Sequence, residues 1–278
     1  MKSRKIKQEK KTPEHKRKSK ARKILFSFIG LLFVVCLFTA TIVYGAMSPF
    51  FNIKNISAEP TMHYNENALI AASGIVKDTN GFISMFTKPG RFYFLRIGDA
   101  ENSITRSCPY IKSVKVRYLP PSSVTIKAVE RKAAVVLIIS DKTLLIDKDE
   151  YLLEINPKEY DKSLPVIKGI NAGSLVPGNK IKIDKDSLLS AVKVFDTIGK
   201  VDEDFEDKLL PIVDYVDVED KYNILFSLDS RIIVNLGGAE DLNYKIITAH
   251  TIYNENISKN EKGRLDFSAN GNPVFTPQ

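Results

Sequence analysis

The sequence predicts an α+β protein: one N-terminal transmembrane helix, a compact β-α-α-β-β unit, then a second mixed, β-rich domain with packed helices. Three observations carry that prediction. The 24 residues from Ile24 to Met47 contain no charge. The run "CPYIKSVKVRYLPPSSVTIKAVERKAAVV", residues 108–136, alternates apolar and polar side chains on both sides of a double proline. Beyond it, short alternating strands recur between two stretches of helical spacing.

The uncharged run comes first. At about 1.5 Å per residue it spans roughly 36 Å, enough to cross a hydrocarbon layer of about 30 Å with some tilt. It exceeds the apolar core of a cleaved signal peptide, about 7–15 residues. A lipoprotein signal needs a small residue before its cysteine, and Val35 precedes Cys36. Net charge is +8, but residues 1–23 alone carry a net +10, so the rest of the chain nets −2. Such a distribution describes a basic tail, not a nucleic-acid-binding domain. It predicts a cytoplasmic tail (1–23), a transmembrane helix (24–47) and an extracytoplasmic remainder. The tail's charge serves topology and attraction to anionic lipid; a specific cytoplasmic partner is the rival reading. Cys36 and Cys108 fall on opposite sides of the membrane boundary, so no disulfide is expected.

In the outer part, weak alternation through Phe51, Ile53 and Ile56 predicts a first strand over 50–58. Asn65 is placed to cap a helix through Ser73, with Gly74 at its C-terminal cap. Asn80-Gly81 and Pro89-Gly90 are turn signals. The aromatic run "RFYFL" (91–95) is either buried or at the lipid surface. Asp99 is placed to cap a second helix ending near Ser107, which Pro109 stops. In the alternating run, Val114, Val116 and Tyr118 share one face, and Val124, Ile126 and Ala128 repeat the pattern. Strands with one polar face are covered on one side only. Pro120-Pro121 cannot donate ladder bonds, so the connection falls there.

These residues carry a resemblance. The order β-α-α-β-β resembles a POTRA domain, and the wording is similar to the FtsQ/DivIB family of bacterial division proteins. The family's strand pair matches Pro109-Tyr110-Ile111, then Val114-Lys115-Val116-Arg117, the turn at Leu119-Pro120, and a second strand from Val124 to Glu130-Arg131. "RIIVNLGGAEDLNYKI" (231–246) is similar to its strand, Leu-Gly and lysine-bearing helix. "LDFSANGNPVF" (265–275) resembles its closing strand, with Phe267 and Ser268 where the family has leucine and arginine. The family's Gly-Asn turn after the first strand is not evident in "SAEPTMHYN", and "ISMFTKPGRFYF" is longer than usual. The resemblance implies a POTRA domain over 48–131 and a β-rich domain over 132–278.

In that second half, "AAVVLII" and "TLLID"–"EYLLEI" predict a hairpin around Asp147–Glu150. "LPVIKGI" predicts a strand and "GSLVPGNKI" a loop. Leu188, Val192 and Phe195 share a helical stripe ended by Gly199. "YVDVED", "YNILFSLD" and "RIIVNLG" read as a meander. Leu242, Ile246, Ala249 and Tyr253 follow helical spacing, and a last strand or hairpin turns around Asn270-Gly271.

Catalytic constellations are not evident. His15, His63 and His250 are scattered, and no H-E-x-x-H or cysteine pair supports zinc. In "GSLVPGNK" the lysine is displaced and no Ser or Thr follows, so a phosphate loop fails. Acidic residues at 202–207 and 214–220 suit solvated loops better than paired acid–base work. The expectation is therefore no enzyme, no cofactor, no metal and no nucleic-acid partner. What remains is surface. An open sheet edge can accept a partner's strand, and the final strand around Leu265, Asp266, Phe267, Val274 and Phe275 is the expected edge. Completion of the sheet is the alternative role for these residues. The resemblance implies FtsB/DivIC-like and FtsL-like partners there, enrichment at the division septum, and contact with septal wall synthases. Two rivals are an extracytoplasmic peptidoglycan-modifying enzyme, requiring activity dependent on the acids in 202–220, and a POTRA-bearing secretion or sensor protein, requiring a further barrel or signalling domain.

Overall fold

The computed structural model describes residues 13–85, 95–268 and 272–278. The distal tail, "RFYF" with the Pro89-Gly90 turn, and the Asn270-Gly271 turn lie outside the described residues. Helix α1 runs Pro13–Ala46. Within it Leu25–Ala46 has mean hydropathy 2.5 and none of the span is buried. Protein packing does not shield this surface, and lipid does, so α1 fits a single-pass membrane protein.

The elements that follow are β1 (Asn55–Ala58), α2 (Glu66–Ser73), α3 (Gly98–Ser107), β2 (Ile111–Leu119) and β3 (Ser123–Glu130), and β1, β3 and β2 form a three-stranded sheet in that order. The β-α-α-β-β order is the one the sequence predicts. The first strand, however, starts at Asn55 and not at residue 50. Pro49–Phe51 forms a 3₁₀ turn instead, capped by the Ser48 hydroxyl, which accepts from the Phe50 N–H at 3.3 Å. Proline suits that first turn because it has no N–H to satisfy. Asn65 does cap α2, accepting from the Ala68 N–H at 2.8 Å, and Gly74 ends it at φ +65°. Helix α3 begins at Gly98, so Asp99 sits inside its first turn. Val116, Tyr118, Val124 and Ile126 are fully buried, as the period-two reading requires.

The remaining strands form a nine-stranded sheet: β4 (Ala133–Ile139), β5 (Lys142–Asp147), β6 (Leu152–Ile155), β7 (Val166–Lys168), β8 (Val213–Asp217), β9 (Ile224–Leu228), β10 (Ile232–Gly237), β11 (Gly263–Asp266) and β12 (Val274–Pro277). Its order is β12-β11-β10-β9-β8-β7-β4-β5-β6. Helix α4 (Lys185–Glu203) presents Ala191, Val194, Ile198 and Val201 to a core shared with Leu242, Ile246 and Ala249 of α5 (Leu242–Glu255) and with Leu137, Phe226 and Val234 of the sheet. The expected stripe is therefore displaced: Leu188 and Phe195 are only partly buried and Val192 is exposed. Gly199 does not end the helix either, because an interior glycine costs only about 1 kcal/mol and burial of Val201 beyond it offsets that. The opposite face of β4 and β5 buries Val136 and Leu145 beneath Tyr110 and Tyr64. This mixture of sheets and packed helices is the predicted α+β class. By contacts the chain divides into two compact units. One comprises Met1–Ser57, Ile75–Gly98 and Val116–Thr125; the other comprises Ala58–Gly74, Asp99–Lys115 and Ile126–Gln278.

Candidate interaction site

The C-terminal end of the nine-stranded sheet is built by one crossover and one hairpin. β10 and β11 are parallel, with Val234 opposite Leu265 and Asn235 opposite Asp266. Parallel neighbours need a long connection, and α5 supplies it. β12 then returns antiparallel, pairing Leu265 with Phe275 and Asp266 with Val274.

This register separates the five residues that the sequence groups as one edge. β11 is paired on both sides, so the edge strand is β12 alone. Leu265 is 1% exposed and belongs to the core. Asp266 is held by its own chain. It accepts from the Ser268 N–H at 2.8 Å, the Ser268 hydroxyl at 2.5 Å and the Asn235 amide at 3.2 Å. The Arg264 Nε lies 3.3 Å away as an ion pair, without hydrogen-bond alignment. Burial raises the Asp266 pKa, but the Ser268, Asn235 and Arg264 contacts outweigh it and hold the carboxyl below its ordinary value. Phe267 packs on the core and donates its N–H to the Asn235 carbonyl at 2.8 Å. Phe275 is half-buried, and Val274 is 55% exposed.

The free side of β12 follows from one bond. Gln278 donates its N–H inward to the Lys262 carbonyl at 2.8 Å. Antiparallel alternation then turns Thr276 and Val274 inward as well, and leaves the N–H and C=O of Phe275 facing out. Pro277 adds a carbonyl but no donor. Gly263 is a residue that the sequence reading missed. A Cβ there would meet the Thr276 carbonyl oxygen at 2.5 Å and the Phe275 ring at 2.7 Å, so only glycine lets β12 lie this close. A lone glycine opening a strand was the available signal.

The strand-pair motif is placed elsewhere. Val114 and Val116 are buried and Arg117 is exposed; Pro120-Pro121 makes the turn through a cis bond. The Tyr110 hydroxyl donates to Glu154 on β6 at 2.8 Å, and its ring stacks on His63 at 3.7 Å. Burial, and next Glu154, push the Tyr110 phenol far above its ordinary pKa. Glu130 accepts from the His63 N–H at 2.9 Å and lies 3.0 Å from its Nδ1. Burial raises the Glu130 pKa, and hydrogen bonds from Thr61 and His63 bring it below the usual value. Arg131 donates to Asp147 at 2.7 Å, both side chains being nearly inaccessible, and lies 3.5 Å over the Tyr151 ring. Pro109 packs against Gly178.

The acidic stretches are only partly the solvated loops expected. Glu203, Asp204, Glu206, Asp207, Glu219 and Asp220 are exposed. Asp202, however, is buried at the end of α4 and Asp214 lies on β8, each drawn in by backbone or hydroxyl donors that need an acceptor. Asp202 accepts from the N–H groups of Leu209 and Leu210, and Asp214 accepts from Ser227 and Ser230. His250 is buried, 2.6 Å from the Asp207 carbonyl and against Phe205.

No family model matches the chain. Among curated proteins, it is 26% identical over 230 residues to the cell division protein DivIB of Clostridium acetobutylicum, covering 83% of this chain and 84% of that one. It is 23% identical over 262 residues to the cell division protein DivIB of Clostridium botulinum strain Hall, covering 94% and 93%. The DivIB of the Loch Maree strain matches at 23% over 261 residues.

Proposed function

These relatives support the FtsQ/DivIB family of cell division proteins for this chain, and from that premise we propose that it is a non-enzymatic, single-pass scaffold of the division complex. Its basic tail lies in the cytoplasm. A POTRA domain over 48–131 and a β-rich domain over 132–278 lie outside, and the protein gathers at the septum. FtsB/DivIC-like and FtsL-like partners dock on the β12 edge, and through them the scaffold meets the septal wall synthases. Its work is binding and positioning.

The observation that carries the reading is the outer side of β12, which no strand pairs among the described residues. A partner strand added there takes the N–H and C=O of Phe275 and finds the exposed Val274 beside them. Leu265 and Asp266 act from behind, by holding β12 in register.

Phe275→Pro removes the one outward N–H at that position and leaves the inward ladder of Thr276 in place. Phe275→Leu is the control that keeps the N–H. Loss of a bond of about 1–1.5 kcal/mol corresponds to roughly tenfold in affinity. Pull-down of FtsB/DivIC-like and FtsL-like segments is expected to weaken by that factor for the proline variant and hardly at all for the leucine variant. Equal capture by a folded Phe275→Pro protein sinks the edge-strand mechanism.

A further inference from the structure

We propose that the membrane-proximal residues Met47, Phe50 and Ile83 form a lipid-seated surface, lying in the headgroup layer of the leaflet from which α1 emerges. The argument needs α1 to span the bilayer and is independent of the division reading.

The decisive residue is Asn80. Its Nδ2 donates to the carbonyls of Ala46 at 2.9 Å and Ser48 at 3.2 Å, at the last turn of the span. The Ala46 carbonyl is one that a helix end leaves unsatisfied. Its Oδ1 accepts from the N–H groups of Phe82 at 3.0 Å and Ile83 at 3.2 Å. One side chain therefore ties the 80–85 turn to the end of α1. The Ile83 nitrogen stands no more than roughly 9 Å, two hydrogen bonds and an amide width, from the Ala46 carbonyl. The polar layer on each side of the hydrocarbon is about 5–8 Å thick. Ile83, far beyond Ala46 in sequence, is thus held within the reach of that layer.

The surface presented there is apolar. Phe50 is 66% exposed, Met47 58% and Ile83 49%. Rings step inward from Phe50 to Phe51 at 5.1 Å, Phe51 to Phe82 at 5.0 Å and Phe82 to Tyr118 at 5.4 Å, ending on a fully buried tyrosine. Gly81 makes this possible, since a Cβ would overlap the Tyr118 ring. A rigid aromatic ladder with its open end continuous with a membrane span suits the interface, where aromatic side chains concentrate. Lipid is the occupant with which this position is already continuous.

The chain contains no tryptophan, so single substitutions report their own surroundings. Phe50→Trp, Ile83→Trp and the mid-span reference Leu37→Trp are placed in the full chain. Each is reconstituted in vesicles of equal phosphatidylcholine and phosphatidylglycerol, with and without brominated acyl chains. The expected result is strong loss of emission for Leu37→Trp and a partial loss with a blue shift for both Phe50→Trp and Ile83→Trp. Ile83→Trp emission that ignores brominated chains and falls with aqueous acrylamide overturns the proposal, and so does quenching of Phe50→Trp alone, which the tether explains. Failure of Leu37→Trp to quench overturns it through the span, leaving the division reading to be judged by the β12 variants.

Discussion

The nine-stranded sheet ends in two four-residue strands, β6 and β12, and the protein treats them oppositely. β6 is covered. Leu152 donates to the Asn179 carbonyl at 3.0 Å and accepts from the Gly178 N–H at 2.7 Å, while Tyr151 and Lys180 form an isolated bridge. The stretch "GSLVPGNK", which superficially suggests a phosphate loop, is this cover. Tyr110 adds a bond to Glu154 on the same strand. β12 has no such cover among the described residues. Its protection is shortness and Pro277, both ordinary ways of limiting unwanted pairing. One end of the sheet is thus shielded at Leu152, and at the other the N–H and C=O of Phe275 face outward.

The comparison can be broken most strongly at Gly263. Gly263→Val sets side-chain atoms against the Thr276 carbonyl and the Phe275 ring. We expect a loss of about 1–3 kcal/mol by overpacking and detachment of β12. Urea titration reads the first, and partner capture the second; unchanged capture would mean that β12 is not the docking strand. A smaller effect is expected at the covered edge. Gly178 has φ +84°, so Gly178→Ala strains the cover by about 1–2 kcal/mol. Amide exchange should accelerate at Leu152 while partner capture stays constant; if capture rises, both edges can serve. The smallest effect is on pH. The folded Asp266 pKa lies below its ordinary 3.8, so its contribution is fully present above that value. It is lost as pH falls through the lower, folded value. The protection of the Thr276 amide, measured relative to its intrinsic exchange rate at each pH, should therefore fall only at acid pH, and Asp266→Asn should flatten that dependence. An identical acid limb in the variant would assign the effect to another group.

Much of the fold is legible locally. The α2 caps, Asn65 and Gly74, depend on a side chain reaching its own helix end, and sequence spacing alone describes that. The buried faces of β2 and β3 follow from period two. The start of β1 is not legible in this way, because Ser48-Pro49 favours a 3₁₀ turn that weak alternation through Phe51 conceals. Asp266 is expected at a partner-binding edge, yet Asn235 on β10 holds it from within the sheet, and only register brings that pair together.

The sequence by itself determined the membrane span, the β-α-α-β-β order, the buried stripe of α5 and the absence of a sequential catalytic motif. Each follows from composition or from a period shorter than five residues. Tertiary structure decided which strand ends the sheet. β7 joins β4 to β8 by parallel pairing, with Ile167 opposite Leu137 on one side and Val216 on the other. Sheet order rests on such backbone bonds between residues far apart in the chain. Backbone N–H and C=O groups are the same in nearly every residue, so local sequence does not encode which of them remain unpaired.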